Sequence, residues 1–154
     1  MNQPQVPGGV DRISFLLGMI NCFAEMVAVG VKRLALSPPV TTDDYEKIRS
    51  ASDRIVREFG IQSYLEKSLL VTDLQSEAFT RGKWSILYFR TDDVLQKYLE
   101  LKAMKKKREE EGSYDAECRR HISRIFMELL SYPPDTIEKK LRGRSADPFM
   151  LIEL

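Results

Sequence analysis

Apolar residues dominate the start of the chain, in the segment ISFLLGMINCFAEMVAVGVKRLAL that begins at Ile13. Asp11 can cap a helix just before this segment. Ser37-Pro38-Pro39 stands just after it and would stop a helix, because proline cannot continue the helical hydrogen-bond ladder. The pattern therefore predicts one long helix over residues 11–36.

The few polar and small residues of this helix fall on one side of it. At about 100° per residue, one narrow arc contains Asp11, Ser14, Gly18, Asn21, Glu25, Ala28 and Lys32. We call this arc the polar seam, and Cys22 lies at its edge. Because the rest of the circumference is apolar, we expect the helix to lie at the centre of the fold or at a subunit interface.

The polar seam has three interpretations. It can face water through a gap between neighbouring elements, which is the ordinary arrangement for polar residues on a helix. It can instead line an internal polar pocket. In the third interpretation, the small residues Gly18 and Ala28 let a second backbone approach closely.

Four later segments have helical periodicity and recognisable ends. They are residues 41–59 before Gly60, residues 91–111 before Gly112, a helix capped by Ser113 that stops at Tyr132-Pro133-Pro134, and a short basic helix over 136–141. In the second of these helices, three charged pairs are spaced to interact at i,i+3. The pairs are Lys106 with Glu109, Lys107 with Glu110, and Arg108 with Glu111.

The segment between Gly60 and Thr91 is ambiguous. Ser63-Tyr64-Leu65-Glu66 fits a capping box, which predicts a short helix. The run Trp84-Ser85-Ile86-Leu87-Tyr88-Phe89 favours a strand, which would form an antiparallel hairpin of residues 68–73 with residues 83–90. Two more short helices are the alternative.

Together these elements predict a mainly α fold. We expect five to six helices around the central hydrophobic N-terminal helix, residues 11–36, with one short β-hairpin within residues 68–90 if that segment is extended. A chain of 154 residues suits one domain. The Pro- and Gly-rich residues 1–9 are expected to form a flexible arm, and residues 10–154 a single helical domain.

Residues 147–154 form a hydrophobic tail, DPFMLIEL. An exposed apolar segment of this kind would promote association. We therefore expect the tail either to dock on its own domain or to dimerise the protein.

Composition and charge exclude several classes of protein. With 43% hydrophobic and 31% charged residues, the chain is typical of a globular protein rather than a disordered one. The formal net charge of +1 argues against nucleic-acid binding, because dedicated nucleic-acid binders usually carry a clear excess of positive charge. Asn21 and Glu25 interrupt the apolar segment and argue against a membrane span.

The cysteines indicate a reducing compartment. Cys22 and Cys118 lie far apart, and the start of the sequence lacks the basic region of a secretory signal. We therefore expect a cytoplasmic protein without a disulfide framework.

One constellation could bind a metal. Cys22-x-x-Glu25 and Cys118-x-x-His121 each put two ligand types on one helix face, so two packed helices could offer Cys22, Cys118 and His121, with Glu25, to zinc or iron. The alternative is that both cysteines are small packing residues and that His121 is a surface residue. Glu25 and His121 are also the candidate catalytic acid or base residues.

No phosphate-binding glycine loop, nucleophile elbow or zinc-protease motif occurs in the sequence. We expect a small cytoplasmic interaction or regulatory protein that acts through apolar helical surfaces, binds no cofactor, and forms a homo-oligomer or binds a protein partner. The alternative is a small metal-binding protein or enzyme that uses Glu25, Cys22, Cys118 and His121.

Overall fold

A small antiparallel sheet lies between two layers of helices. The computed structural model describes residues 9–74 and 77–143, and in that part of the chain we number six helices and three strands. In chain order they are α1 (Arg12–Ala28), β1 (Leu34–Leu36), α2 (Thr42–Phe59), β2 (Gln62–Glu66), α3 (Glu77–Thr80), β3 (Ser85–Phe89), α4 (Asp92–Glu110), α5 (Ala116–Leu129) and α6 (Pro134–Leu141). The prediction of a mostly helical fold is confirmed.

The sheet has the strand order β1-β3-β2, and both strand pairs are antiparallel. The central strand β3 is buried along its whole length. Because successive side chains of a strand point to opposite faces, β3 separates two hydrophobic clusters. Ile86 and Tyr88 pack with α1 and α2, whereas Leu87 and Phe89 pack with α4 and α5.

The prediction of a helix over residues 11–36 is wrong at its C-terminal end. Helix α1 ends at Ala28, Gly30 adopts the left-handed conformation with φ +82°, and residues 34–36 form strand β1. The glycine and the β-branched residues Val29 and Val31 weaken the helix here. Pairing with β3 then buries all three residues of β1 on both faces of the sheet.

The expected central position of the N-terminal helix is not confirmed. Helix α1 belongs to an outer layer and buries one face of regular spacing, made of Leu16, Ile20, Ala24 and Val27. The centre of the molecule is strand β3 instead. Helix α1 therefore lies at the surface of the fold, although most of its circumference is apolar.

The polar seam faces water along most of α1, whereas Ala28 packs against the hydrophobic cluster and Lys32 lies beyond the end of the helix. Asn21 and Glu25 are exposed, which agrees with the first of the three interpretations. A Cβ atom added to Gly18 would meet no atom within 4 Å, so no described backbone packs closely against that residue.

The expected hairpin within residues 68–90 is only partly correct. Residues 85–89 form β3, but β3 pairs with β1 and β2 rather than with residues 68–73. The short helix expected at residues 63–66 is strand β2 instead. Pairing with β3 along five residues outweighs the local capping-box signal, which would stabilise only one helical turn.

The loop after β2 is held by polar contacts to α4. Glu66 is buried and accepts hydrogen bonds at 2.8 Å from the Tyr98 hydroxyl and from the Lys102 ammonium. The backbone N–H of Leu70 donates to the Tyr98 oxygen at 3.1 Å. These contacts explain why the apolar residues 69–71 are a docked loop rather than a strand.

The remaining helices follow the predicted pattern with small shifts. Helix α2 has Thr41 as its N-cap and Gly60 in the left-handed conformation as its C-cap. The N-cap of α5 is Asp115, not Ser113, and α6 begins at Pro134. On α4 the surface ion pairs are spaced i,i+4 rather than i,i+3, and they join Lys105 to Glu109, Lys106 to Glu110 and Lys107 to Glu111.

Two expectations concern segments outside this region. The flexible arm, except for Gly9, and the hydrophobic tail 147–154 lie outside the described residues. None of the helices within the described residues combines the length and apolar character needed to cross a bilayer.

Candidate functional site

The structure separates the residues that the sequence suggested as a metal site. Cys22 and Glu25 are exposed on α1, on one side of the sheet. Cys118 is half-buried on α5, where it packs against the hydrophobic cluster on the other side of the sheet. Within residues 9–74 and 77–143, no group of three or more His, Cys, Asp or Glu side chains is arranged to hold a metal ion. The proposed joint roles of these residues stay predictions without geometric support.

His121, the second catalytic candidate, is exposed in an open groove of about 500 Å³ between α5 and α6. The groove is lined by Glu117, Arg120, His121, Arg124, Glu138, Leu141 and Arg142. Arg124 and Glu138 form an ion pair across it, and the hydrogen bond from Arg124 lowers the pKa of Glu138. Charges of both signs and wide exposure to water make this a solvated surface rather than a selective site.

A more enclosed pocket lies at the β1 edge of the sheet. Here a pocket of about 120 Å³ is lined by Met19, Phe23, Lys32, Leu36, Pro38, Leu130 and Tyr132. Six of the seven lining residues are apolar or aromatic. We call this the apolar pocket, and its size suits a single side chain.

Three parts of the fold build the apolar pocket. Met19 and Phe23 stand four residues apart and therefore lie on one face of α1. Leu36 is the last residue of β1, and the proline after the strand continues the wall. The turn between α5 and α6 supplies Leu130 and Tyr132 on the opposite side.

Hydrogen bonds hold the α1–β1 loop against the α5–α6 turn. The Lys32 ammonium donates to the Leu130 carbonyl at 2.7 Å, and the Arg33 backbone N–H donates to the Ser131 hydroxyl at 2.9 Å. Ser131 itself has φ +66°, an uncommon conformation for a residue other than glycine. The turn is thus fixed by contacts with residues 98 positions earlier in the chain.

Lys32 is the main polar group of the pocket. Its ammonium lies 5.6 Å from the centre of the Tyr132 ring, in a cation–π contact. Burial lowers the pKa of Lys32, and burial is the one cause of that shift. None of the ion pairs formed among the described residues includes Lys32. The lysine is therefore a half-buried positive charge whose described contacts are a neutral carbonyl and an aromatic ring.

The apolar surface continues in the loop that carries Lys32. Val29 and Val31 are 67% and 65% exposed, among the most exposed large hydrophobic side chains of the described region. Val31 directly precedes Lys32 in the chain, and exposed apolar residues of this kind are more frequent at binding sites than elsewhere on a protein surface.

Comparison of the chain with known protein families, with curated proteins and with solved structures finds no match. The evidence for function is therefore the geometry of the chain itself.

Lys32 and Tyr132 were missed as site residues in the sequence. The sequence pattern places Lys32 in the polar seam, because it predicts that α1 reaches residue 36, and it places Tyr132 in a helix stop. A lysine just before the apolar run Leu34–Leu36 was the available signal. Its contacts across the pocket could not be identified, because the Leu130 carbonyl that accepts its hydrogen bond lies 98 positions later in the chain and Tyr132 lies beyond that.

Proposed function

We propose that this protein is a cytoplasmic interaction protein that binds an extended segment of a protein partner in the apolar pocket. An apolar side chain of the partner fills the pocket, and a carboxylate on the same side of the segment pairs with Lys32. The observation that carries this proposal is the half-buried Lys32 ammonium, which has no carboxylate partner among the described residues.

Electrostatics favours an anionic ligand. A buried positive charge is costly unless an opposite charge compensates it. Coulomb attraction is also stronger beside apolar walls than in water. A partner carboxylate would therefore gain more here than at an exposed lysine.

The size of the pocket favours a peptide segment. A volume of about 120 Å³ takes one side chain rather than a large cofactor. In an extended segment, residues i and i+2 point to the same side, about 7 Å apart. We therefore expect the partner to carry an apolar residue two positions before Asp or Glu.

The cytoplasmic location is supported by the cysteines. Cys22 and Cys118 are both free in the structure, and Cys22 is exposed to solvent. Exposed free thiols are typical of proteins in reducing compartments.

Selection from a random peptide library on the full-length protein tests the proposal. We expect enrichment of peptides with an apolar residue two positions before a carboxylate. Replacing that carboxylate by its amide should weaken binding to the wild-type protein about tenfold or more. Enrichment of peptides without this pattern would contradict the proposal.

Substitution of Lys32 provides the second arm of the experiment. Lys32→Met keeps the aliphatic stem but removes the charge, so the acid and amide peptides should bind this variant equally. Lys47→Met, on the exposed side of α2, is the matched control and should keep the preference for the acid. If Lys32→Met kept the wild-type preference, Lys32 would not be the recognising group.

A further inference from the structure

A second groove lies between α4 and α5, on the surface of the fold. It has a volume of about 330 Å³, and none of its lining residues also lines the apolar pocket. Half of its lining residues are apolar. Leu101 and Leu129 are buried, Ile125 is half-buried, and Met104 is 39% exposed. Methionine is a flexible side chain that adapts well to contact surfaces. We call this the α4–α5 groove.

The other half of the lining is charged and carries two cations and two acids. These residues are Arg33, Lys97, Glu100 and Glu128, and all four are exposed. None of the ion pairs formed among residues 9–74 and 77–143 includes any of them. The groove beside His121 is different, because it has little apolar lining and its charges Arg124 and Glu138 are paired across it. The α4–α5 groove therefore presents four charges that a bound protein can pair.

The signs of these charges favour a second copy of this chain as the occupant. An acidic partner would be repelled by Glu100 and Glu128, and a basic partner by Arg33 and Lys97. In a symmetric dimer, one patch binds the identical patch of the other copy, so it has to carry both members of every ion pair. The α4–α5 groove meets this requirement.

The spacing of the charges on α4 fits such symmetry. Lys97 and Glu100 are three residues apart and therefore lie on one face of the helix. A two-fold axis that crosses α4 at a right angle between these residues makes the two α4 helices antiparallel. Lys97 of each copy then stands opposite Glu100 of the other copy.

We propose that two copies of this chain form a symmetric dimer through the α4–α5 groove, with Lys97 of each copy paired with Glu100 of the other. The second copy covers Met104 and the apolar lining, and burial of these side chains provides most of the affinity. The charge pairs fix the orientation of the two copies and exclude other partners. Because the groove and the apolar pocket share no lining residue, the dimer and the proposed peptide binding can each fail without the other.

Charge reversal on the full-length protein tests the dimer. In Lys97→Glu the groove is lined by three acids and one cation, whereas in Glu100→Lys it is lined by three cations and one acid. Each variant alone should repel its own copy and raise the dissociation constant of the dimer at least about tenfold, measured by sedimentation equilibrium. A wild-type protein that stays monomeric, or a dimer that both reversals leave unchanged, would overturn the proposal.

A mixture of the two variants is the decisive arm of the experiment. Equal amounts of Lys97→Glu and Glu100→Lys should form a heterodimer about as tightly as wild type dimerises, because their grooves now have opposite charge. Recovery of the dimer also shows that both variants are folded. A mixture that stays monomeric would overturn the pairing of Lys97 with Glu100.

Lys47→Glu provides the matched control. It reverses an exposed lysine on α2, which packs on the opposite side of the sheet from α4 and α5. This variant should dimerise like wild type. If it weakened the dimer as much as Lys97→Glu does, the effect would come from net charge, and the groove would not be the interface.

Discussion

Ser52 and Tyr88 form a buried hydrogen bond between α2 and β3. Their side-chain oxygens lie 2.9 Å apart, and the residues are 2% and 0% exposed. Burial raises the pKa of Tyr88, so the hydroxyl stays neutral and needs a hydrogen-bond partner within the protein. This pair ties the α1–α2 layer to the sheet by polar contact in addition to packing.

We predict that Ser52→Ala lowers the free energy of unfolding by about 1–3 kcal/mol, because the Tyr88 hydroxyl loses its partner in a dry environment. Tyr88→Phe removes the other half of the pair. The double variant should be clearly more stable than the sum of the two single effects implies. Urea denaturation of the four proteins measures this, and additive effects would contradict the prediction.

At the residue scale, sequence predicts what depends on near neighbours. The sequence predicts Gly60 as the end of α2 and places its start at Thr41, Thr42 or Asp43, because caps act within one helical turn; the structure has Thr41 as the N-cap. Lys32 was not identified as a site residue because its surroundings come from the α5–α6 turn. Cys22-x-x-Glu25 and Cys118-x-x-His121 each have a spacing that suits metal ligands, but the sheet lies between the two helices that carry them.

At the scale of elements, the glycines at Gly18 and Gly60 have opposite roles. Gly18 lies within α1, where an added Cβ meets no atom within 4 Å. Gly60 ends α2 with φ +63°, a conformation that L-residues adopt with strain. The same substitution should therefore have opposite effects at the two positions.

We predict that Gly18→Ala raises the free energy of unfolding by about 0.5–1 kcal/mol, because alanine favours the helix and restricts the unfolded chain. Gly60→Ala should lower it by about 1 kcal/mol or more. Thermal denaturation of the two variants against wild type measures both effects. Changes of the same sign would contradict the prediction.

The elements that sequence misjudged are short strands. Three residues of β1 and five of β2 are too few for a clear periodic pattern. Strand β1 was assigned to the end of a helix, and β2 to a capping box. Both are strands because β3, which follows them in the chain, lies between them and supplies their hydrogen-bond partners.

At the scale of the whole molecule, the three layers enclose the hydroxyl groups of Tyr88 and Tyr98. Tyr88 lies between the sheet and the α1–α2 layer, and Tyr98 lies on the opposite side. Burial raises the pKa of both groups. The folded protein therefore keeps protons that the unfolded chain releases above about pH 10.

The raised pKa values of the two tyrosines make the free energy of unfolding depend on pH. Tyr88 and Tyr98 contribute stability that is fully present below about pH 10 and is lost as the pH rises further, by up to about 1.4 kcal/mol per pH unit for each tyrosine. Burial lowers the pKa of Lys32 from its usual 10.5. Below that value the unfolded chain binds this proton more tightly than the folded protein, so the contribution of Lys32 to the free energy of unfolding rises with pH.

We predict a net decrease in the free energy of unfolding above about pH 10. Urea denaturation across this range measures the decrease. Tyr88→Phe should reduce the slope of the unfolding free energy against pH by the contribution of about one bound proton. A free energy independent of pH would contradict the prediction.

The position of β3 also has a consequence for synthesis of the chain. Both outer strands are translated before the strand that joins them, so residues up to 66 contain β1 and β2 but cannot form a sheet. A nascent chain must keep these segments from aggregating until residues 85–89 have left the ribosome. The sheet can therefore form during translation only after β3 has emerged, although both of its outer strands are made earlier.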